Sequence, residues 1–281
     1  MKEMLRKIKQ GIYNILALVE ANPGVRSIYI GGYTALVRLK FGRRLYVDSR
    51  DIGIAQHIMI TGVWEKHYTE LVKKLVKKGD VFVDIGANFG YYSVLGGFLT
   101  GSTGKVYSFE PSPRPFELLE MSMKANGYLK PQSKNIFKLG VSDKVGTTTF
   151  SYKEGDFGGG SMFIPDARKA KEQFTDVTIQ MDSLDNILSE EKQIDFVKID
   201  AEGAEVSVIK GMQELIKRSP NIKILIEFYP GFIKKHMPIR EFYNLIKNLN
   251  LTPYKIDKSN LNKISLEQLE SVSNCYLLIS K

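Results

Sequence analysis

The chain has 281 residues and a formal net charge of +9, with 43% hydrophobic and 25% charged residues. That composition is globular and excludes a disordered or fibrous chain. A single cysteine, Cys275, excludes a disulfide framework and a cysteine-based zinc cluster. No apolar run approaches the roughly 18–20 residues that span a bilayer, and no cleavable signal sequence is evident. A soluble, cytoplasmic protein is expected.

The first fifty residues hold ten Lys/Arg against Glu3, Glu20 and Asp48. Such a basic end suits an anionic membrane, nucleic acid or a phosphorylated substrate, or is simply a solvated face. Met4, Leu5, Ile8, Ile12, Ile15, Leu16 and Val19 recur at helical spacing, which predicts an amphipathic helix ended by Asn22-Pro23-Gly24. That helix either docks on its own domain or touches a membrane peripherally. Tyr33–Lys40 and Arg44–Asp48 read as a hairpin around Gly42. Helices are expected over Ile52–Ile60 and Tyr68–Lys77.

From Gly79 the pattern changes to alternating strands and helices. Strands are predicted at Val81–Ile85, Lys105–Phe109 and Ile136–Leu139, with helices near Tyr91–Leu99 and Pro115–Ala125 between them. Two β-like runs, Thr147–Tyr152 and Val177–Met181, flank a glycine-rich segment, Gly155–Ser161, expected to be a mobile acceptor loop. Then come a strand at Ile194–Ile199, a helix at Val206–Ile216, a strand at Ile222–Phe228 and a helix at Ile239–Leu249. Leu251–Ile256 and Cys275–Ile279 close the series. Repeated βα units with continuous apolar strands predict an α/β fold, a doubly wound and mostly parallel sheet. Ligands of such sheets bind beyond the carboxyl ends of the strands.

Three of those strand ends carry a recognisable chemistry. Asp84-Ile85-Gly86-Ala87-Asn88-Phe89-Gly90 follows the first core strand, and its glycines permit a tight turn and close approach of a ligand. It is not the G-x-G-x-x-G that seats a pyrophosphate, so a nucleoside without phosphates fits better. Glu110, followed by Pro111 and Ser112, ends the next strand, where an acid can accept hydrogen bonds from both ribose hydroxyls. Val141-Ser142-Asp143 follows the third strand, and Asp143 either accepts from an adenine amine or caps a turn. Trp64 and Glu65 stand where they could cover the far end of a cofactor, and Tyr91 or Tyr92 could line the site.

Together with Phe109-Glu110-Pro111-Ser112-Pro113 and Lys198-Ile-Asp-Ala-Glu-Gly-Ala-Glu205, these segments resemble the FkbM family of S-adenosylmethionine-dependent class I methyltransferases. The resemblance runs from about Trp64 to Glu227 and is most specific in the Lys198–Glu205 segment. It implies a Rossmann-like sheet of seven strands with an antiparallel last pair. It also implies O-methylation of a hydroxyl, here expected on a sugar or glycan. By position, Gly86, Asn88 and Gly90 of the loop opened by Asp84 would face the methionine part of the cofactor. Glu110 would take its ribose and Asp143 its adenine.

Asp200 ends the fourth core strand, where the reacting groups should meet. As catalytic candidates Asp200, Glu227 and His236 could act as base, and Asp200 could instead hold the cofactor. Glu202 and Glu205 could join them or serve as acids at a helix start. A divalent cation on oxygen ligands is weighed but not favoured. His57 and His67 carry no argument. DNA base methylation is disfavoured because Asp200-Ala201-Glu202-Gly203 replaces the expected Pro-Pro turn, and Cys275 is misplaced for cytosine C5 chemistry. An RNA methyltransferase or a non-catalytic binding module are the alternatives. The expected organisation is an N-terminal extension over residues 1–63 and a cofactor domain over 64–281.

Overall fold

The computed structural model describes residues 24–129, 135–164, 166–169, 171–258 and 260–281. The helix expected over Met4–Val19 therefore lies outside the described residues. Among the described residues fifteen strands form three sheets. β1 (Ser27–Gly31), β2 (Thr34–Arg38) and β3 (Arg44–Asp48) make an antiparallel meander, so the expected hairpin gains a strand ahead of it.

The central sheet contains β4 (Val81–Ile85), β5 (Lys105–Phe109) and β6 (Ile136–Phe137). A second sheet consists of β7 (Gly140–Val141), β8 (Gly146–Lys153), β9 (Asp156–Ser161) and β10 (Thr175–Asp182). The chain then returns to the central sheet through β11 (Phe196–Ile199), β12 (Lys223–Phe228), β13 (Thr252–Asp257), β14 (Asn260–Lys263) and β15 (Cys275–Ser280). Its order is β14-β13-β15-β12-β11-β4-β5-β6. The strands from β12 to β6 run parallel, and β15 joins β12 antiparallel. The doubly wound expectation holds with eight strands rather than seven, because β14 folds back on β13.

Strand alternation sorts this sheet into two faces. Val83, Val197, Ile224 and Ile226 pack into one apolar cluster, while Phe82, Phe196, Leu225 and Tyr276 pack into the other. The rings of Phe82 and Phe196 stack with centroids 5.3 Å apart. On that second face the register sets Asp84 opposite Lys198 and Glu227 opposite Tyr276. A row of ionisable groups thus emerges where β4, β11 and β12 end.

The meander docks on the helix Pro113–Ala125. Tyr46 N–H donates to Ser122 Oγ at 2.9 Å, and Arg44 N–H donates to Asn126 Oδ1 at 3.0 Å. Asp48, fully buried, accepts from Arg50 at 2.8 Å and from Arg114 at 2.9 Å. Residues of the meander and of the central sheet share one apolar cluster.

The second sheet has order β7-β10-β8-β9, and it corrects the loop expectation. Gly155–Ser161 is mostly strand, held by distant side chains. Buried Asp51 accepts Phe157 N–H at 3.0 Å and Ala55 N–H at 2.8 Å, which ties β9 to the helix Ile54–Thr61. The helix expected over Val206–Ile216 is likewise two helices, Glu205–Lys210 and Gln213–Arg218. Gly211 lies against the chain at Ser142, where a Cβ would sit 2.0 Å from a carbonyl oxygen. Asp185 then starts the second helix by accepting the N–H groups of Glu214 and Leu215 at 3.0 and 2.8 Å. Among the described residues no helix is long and apolar enough to cross a membrane.

Candidate active site

Beyond the carboxyl ends of β4, β5 and β11 lies a cavity of ≈ 400 Å³, roofed by β8–β10 and the helix Ile54–Thr61. Its floor begins at the glycine turn. The N–H groups of Gly86 and Ala87 donate to Phe109 O at 3.0 and 2.9 Å, and Asp200 N–H donates to Ile85 O at 3.1 Å. Gly86 has φ +74°, and a Cβ there would stand 1.8 Å from Asp200 O. Only glycine lets the two strand ends approach this closely.

Glu110 forms one end of the cavity. Its carboxylate accepts Asn88 N–H and Ser112 N–H, each at 2.8 Å. Burial nevertheless pushes its carboxyl up. One backbone donor per oxygen leaves each oxygen a further lone pair for a ligand hydroxyl.

The opposite end is acidic. Asp200 Oδ2 accepts from Lys198 Nζ at 2.9 Å and from Tyr276 Oη at 2.7 Å. Burial works against its ionisation, but the Lys198 charge and the Tyr276 hydroxyl prevail and hold Asp200 below the ordinary value. Burial also opposes the Lys198 charge, yet Asp200, Asp84 and Glu65 keep its ammonium above the usual range. The Lys198 Nζ lies 5.1 Å from the Tyr92 ring centroid, and Tyr92 Oη donates to Glu65 at 2.8 Å. Burial pushes Glu65 up to about 7. Glu227 is raised to about 8, by burial first and then by Asp200 and Glu205. Glu202, on left-handed backbone at φ +49°, is raised to about 10 by burial and its acidic neighbours. Oxygens of Asp200, Glu202 and Glu227 lie within 4.8 Å of one another, a spacing that could hold a divalent cation or shared protons. Glu205 is committed elsewhere. It accepts Ala201 N–H at 3.0 Å and Gly203 N–H at 3.2 Å, shaping the turn that carries Glu202.

Of the residues singled out from sequence, the cavity wall contains Trp64, Glu65, Gly86, Asn88, Tyr91, Tyr92, Glu110, Pro111, Ser112, Val141, Asp200, Glu202 and Glu227. Five lie off it. Asp84 is fully buried beneath the turn and accepts from Ser93 Oγ at 2.6 Å. Gly90 packs on Leu119, where a Cβ would meet a methyl at 2.7 Å. Ser142 is buried and Asp143 points to solvent beside it. His236 ends a helix, Pro230–His236, rather than lying in a loop, and its Nε2 bonds Gly203 O at 2.7 Å. Lys198 and Tyr276 are wall residues to which the sequence reading gave no role. Lysine inside the apolar run Phe196–Ile199 was a readable signal for the first. Nothing local marks Tyr276, seventy-six residues from its partner.

A doubly wound sheet with a glycine turn after one strand and an acid ending the next is the arrangement of a class I methyltransferase domain. Residues 84–250 match the Methyltransferase FkbM domain, and the chain belongs to that family. It is similar to "Methyltransferase sdnD" of Sordaria araneosa, 26% identical over 161 residues, covering 47% of this chain and 60% of that protein. It is also similar to "Hexuronic acid methyltransferase AglP" of Haloferax volcanii, 26% identical over 170 residues, covering 59% and 63%. The chain thus spans under two thirds of the length of these relatives. Among solved structures, an O-methyltransferase from Bacillus cereus aligns with TM-score 0.44 at 15% identity, covering 83% of this chain and 91% of that one.

Proposed function

We propose that the protein is an S-adenosylmethionine-dependent O-methyltransferase acting on a sugar or glycan hydroxyl. The observation that carries this reading is the polarity of the cavity, with Glu110 at one end and Asp200 and Glu227 at the other. The donor set fits the cofactor. Glu110 keeps acceptor capacity for two vicinal hydroxyls, the excess of carboxylates suits a cation, and no phosphate cradle intrudes. When bound, S-adenosylmethionine supplies an electrophilic methyl carried on a cationic sulfur.

The chain's own groups divide the remaining work. Asp200, ionised and held by Lys198 and Tyr276, contributes fixed negative charge at the acidic end. Glu227 is the better base, since a carboxylate raised to about 8 takes a hydroxyl proton more readily than one held low. His236 is not assigned as base, because its Nε2 is spent on Gly203 O and its ring lies off the wall. The roof from β8–β10 and Ile54–Thr61 lies over the place of transfer. The name of the AglP relative supports a sugar as acceptor. We assign no metal to the acidic end, because the Lys198 ammonium already sits against it.

Calorimetry with S-adenosylmethionine and S-adenosylhomocysteine tests the first part, and saturable binding of both is expected. Absence of binding would leave only a methyltransferase-fold binding module. Transfer of labelled methyl to a panel of glycans tests the second part. Turnover should survive a chelator, and loss that magnesium restores would overturn the metal-free assignment.

A further inference from the structure

Within the cavity wall, Glu65, Asp200, Glu202 and Glu227 surround a single ammonium, that of Lys198. The one ammonium inside is already paired with Asp200 at 2.9 Å, so an anionic group on a ligand finds no free cation there and is better accommodated at the rim. The rim beside the acidic end carries an oriented cation. Lys235 is exposed on the helix Pro230–His236, with Nζ 5.2 Å from the ring centroids of both Phe163 and Phe232. It also donates to Phe163 O at 3.3 Å. These partners are all uncharged, so they fix the ammonium without neutralising it. Tyr229, 38% exposed, meets Phe232 edge-on at 4.6 Å.

The aromatic cluster is continuous with the acidic end through the chain itself. Phe163 follows the wall residue Met162, and Tyr229 stands two residues beyond Glu227. Gly203, next to Glu202, packs so tightly that a Cβ would lie 2.8 Å from Phe163 and 3.4 Å from Phe232. Aromatic faces beside a fixed cation suit a ring with one apolar face and one negative substituent.

We propose that this rim is the subsite for an anionic substituent on the acceptor. The carboxylate or phosphate of a sugar pairs with Lys235 while the sugar's apolar face rests on Phe232 and Tyr229. The hydroxyl to be methylated then reaches inward toward Glu227. This inference rests on the methyltransferase reading and narrows its substrate class to acidic sugars.

Calorimetry first measures the affinity of the full chain for S-adenosylhomocysteine. Ligand-observed NMR on the saturated protein then compares methyl glucuronide, a hexose phosphate and uncharged methyl glucoside. At least one anionic sugar should bind roughly three- to tenfold tighter than the glucoside, as one partly exposed ion pair permits. The preference should fade with added salt and vanish in Lys235→Gln, with S-adenosylhomocysteine affinity unmoved. Preference for the glucuronide alone assigns a carboxylate, and for the hexose phosphate alone a phosphate. Equal binding of all three sugars, a preference that survives Lys235→Gln, or no binding of either anionic sugar at millimolar concentration would overturn the rim assignment. Failure to bind S-adenosylhomocysteine would overturn the methyltransferase reading and this one with it.

Discussion

Asp200 Oδ2 receives two hydrogen bonds, and their donors set what that carboxylate can do. Tyr276→Phe removes the 2.7 Å bond without changing the ring's packing against Tyr68 at 4.6 Å. A hydrogen bond to a charged group contributes about 1.5–3 kcal/mol, so kcat should fall by roughly ten- to a hundredfold with the fold intact. Steady-state kinetics beside a melting curve checks this, and unchanged kcat would reduce Tyr276 to a packing residue. Glu227 predicts a pH effect. As the proposed base it must be ionised, so kcat/KM should rise with pH through a limb near 8, the value to which burial raises it. Glu227→Gln should erase that limb along with most turnover, and a limb that persists would move the base to another group. Glu110→Ala should weaken cofactor binding beyond any loss of thermal stability, as calorimetry would show. It removes the acceptor that both holds the turn through Asn88 and Ser112 and faces the cavity.

Elements meet at positions where one atom more is too many. Gly86 joins β4 to the end of β11, and a Cβ there would lie 1.8 Å from backbone, which cannot rotate aside. Its φ of +74° adds strain for any side chain. Gly86→Ala should therefore abolish cofactor binding and lower the melting temperature together, by overpacking of about 1–3 kcal/mol or more. The meander and the helix Pro113–Ala125 are joined differently, through a buried charge. Asp48→Ala leaves the guanidinium groups of Arg50 and Arg114 without their shared acceptor. Breaking a buried pair costs about 3–5 kcal/mol, an upper figure here because Arg50 keeps 32% side-chain exposure. Urea unfolding should show a clear loss. A shift under about 1 kcal/mol would mean that apolar contacts alone dock the meander.

At the scale of the whole molecule, the acidic cavity sets a pH dependence of stability. Burial raises Glu65 and Glu205 to about 7 and Glu227 to about 8, from an ordinary 4.5. Between those limits the folded chain binds more protons than the unfolded chain, so stability falls as pH rises. The loss runs from roughly pH 4.5 to pH 8 for these three, with up to about 3 kcal/mol from Glu205 alone, and Glu202, raised to about 10, carries it further. Below that window Asp48 and Asp200, held low by their partners, work in the opposite sense. Melting temperatures of the ligand-free protein should thus decline from pH 5 to pH 8. Glu205→Gln, which keeps the acceptor for Ala201 and Gly203, should flatten that decline. A profile unchanged by the substitution would place the titration elsewhere.

Sequence alone determined the order of βα units, the Asp84–Gly90 turn, Glu110 at a strand end and the Lys198–Glu205 segment. Each depends on local pattern: apolar runs long enough to be buried on both faces, glycines where the chain reverses, acids just past strand ends. Boundaries held where the run was uninterrupted, as in Val81–Ile85 and Lys105–Phe109, which are strands over those same residues. Local pattern misled where distant groups intervene. Gly155–Ser161 has the composition of a loop, yet Asp51 and the pairing with β8 make most of it a strand. Val206–Ile216 has one helical stripe, yet the close passage of Ser142 at Gly211 and the cap from Asp185 divide it. Tertiary structure also decided which acids do what. Glu202, Glu205 and Glu227 look alike in sequence, and only the backbone around Glu205 shows it spent on the turn while the other two face the cavity. Tyr276 joins them through strand register, a pairing between chain segments that no local spacing encodes.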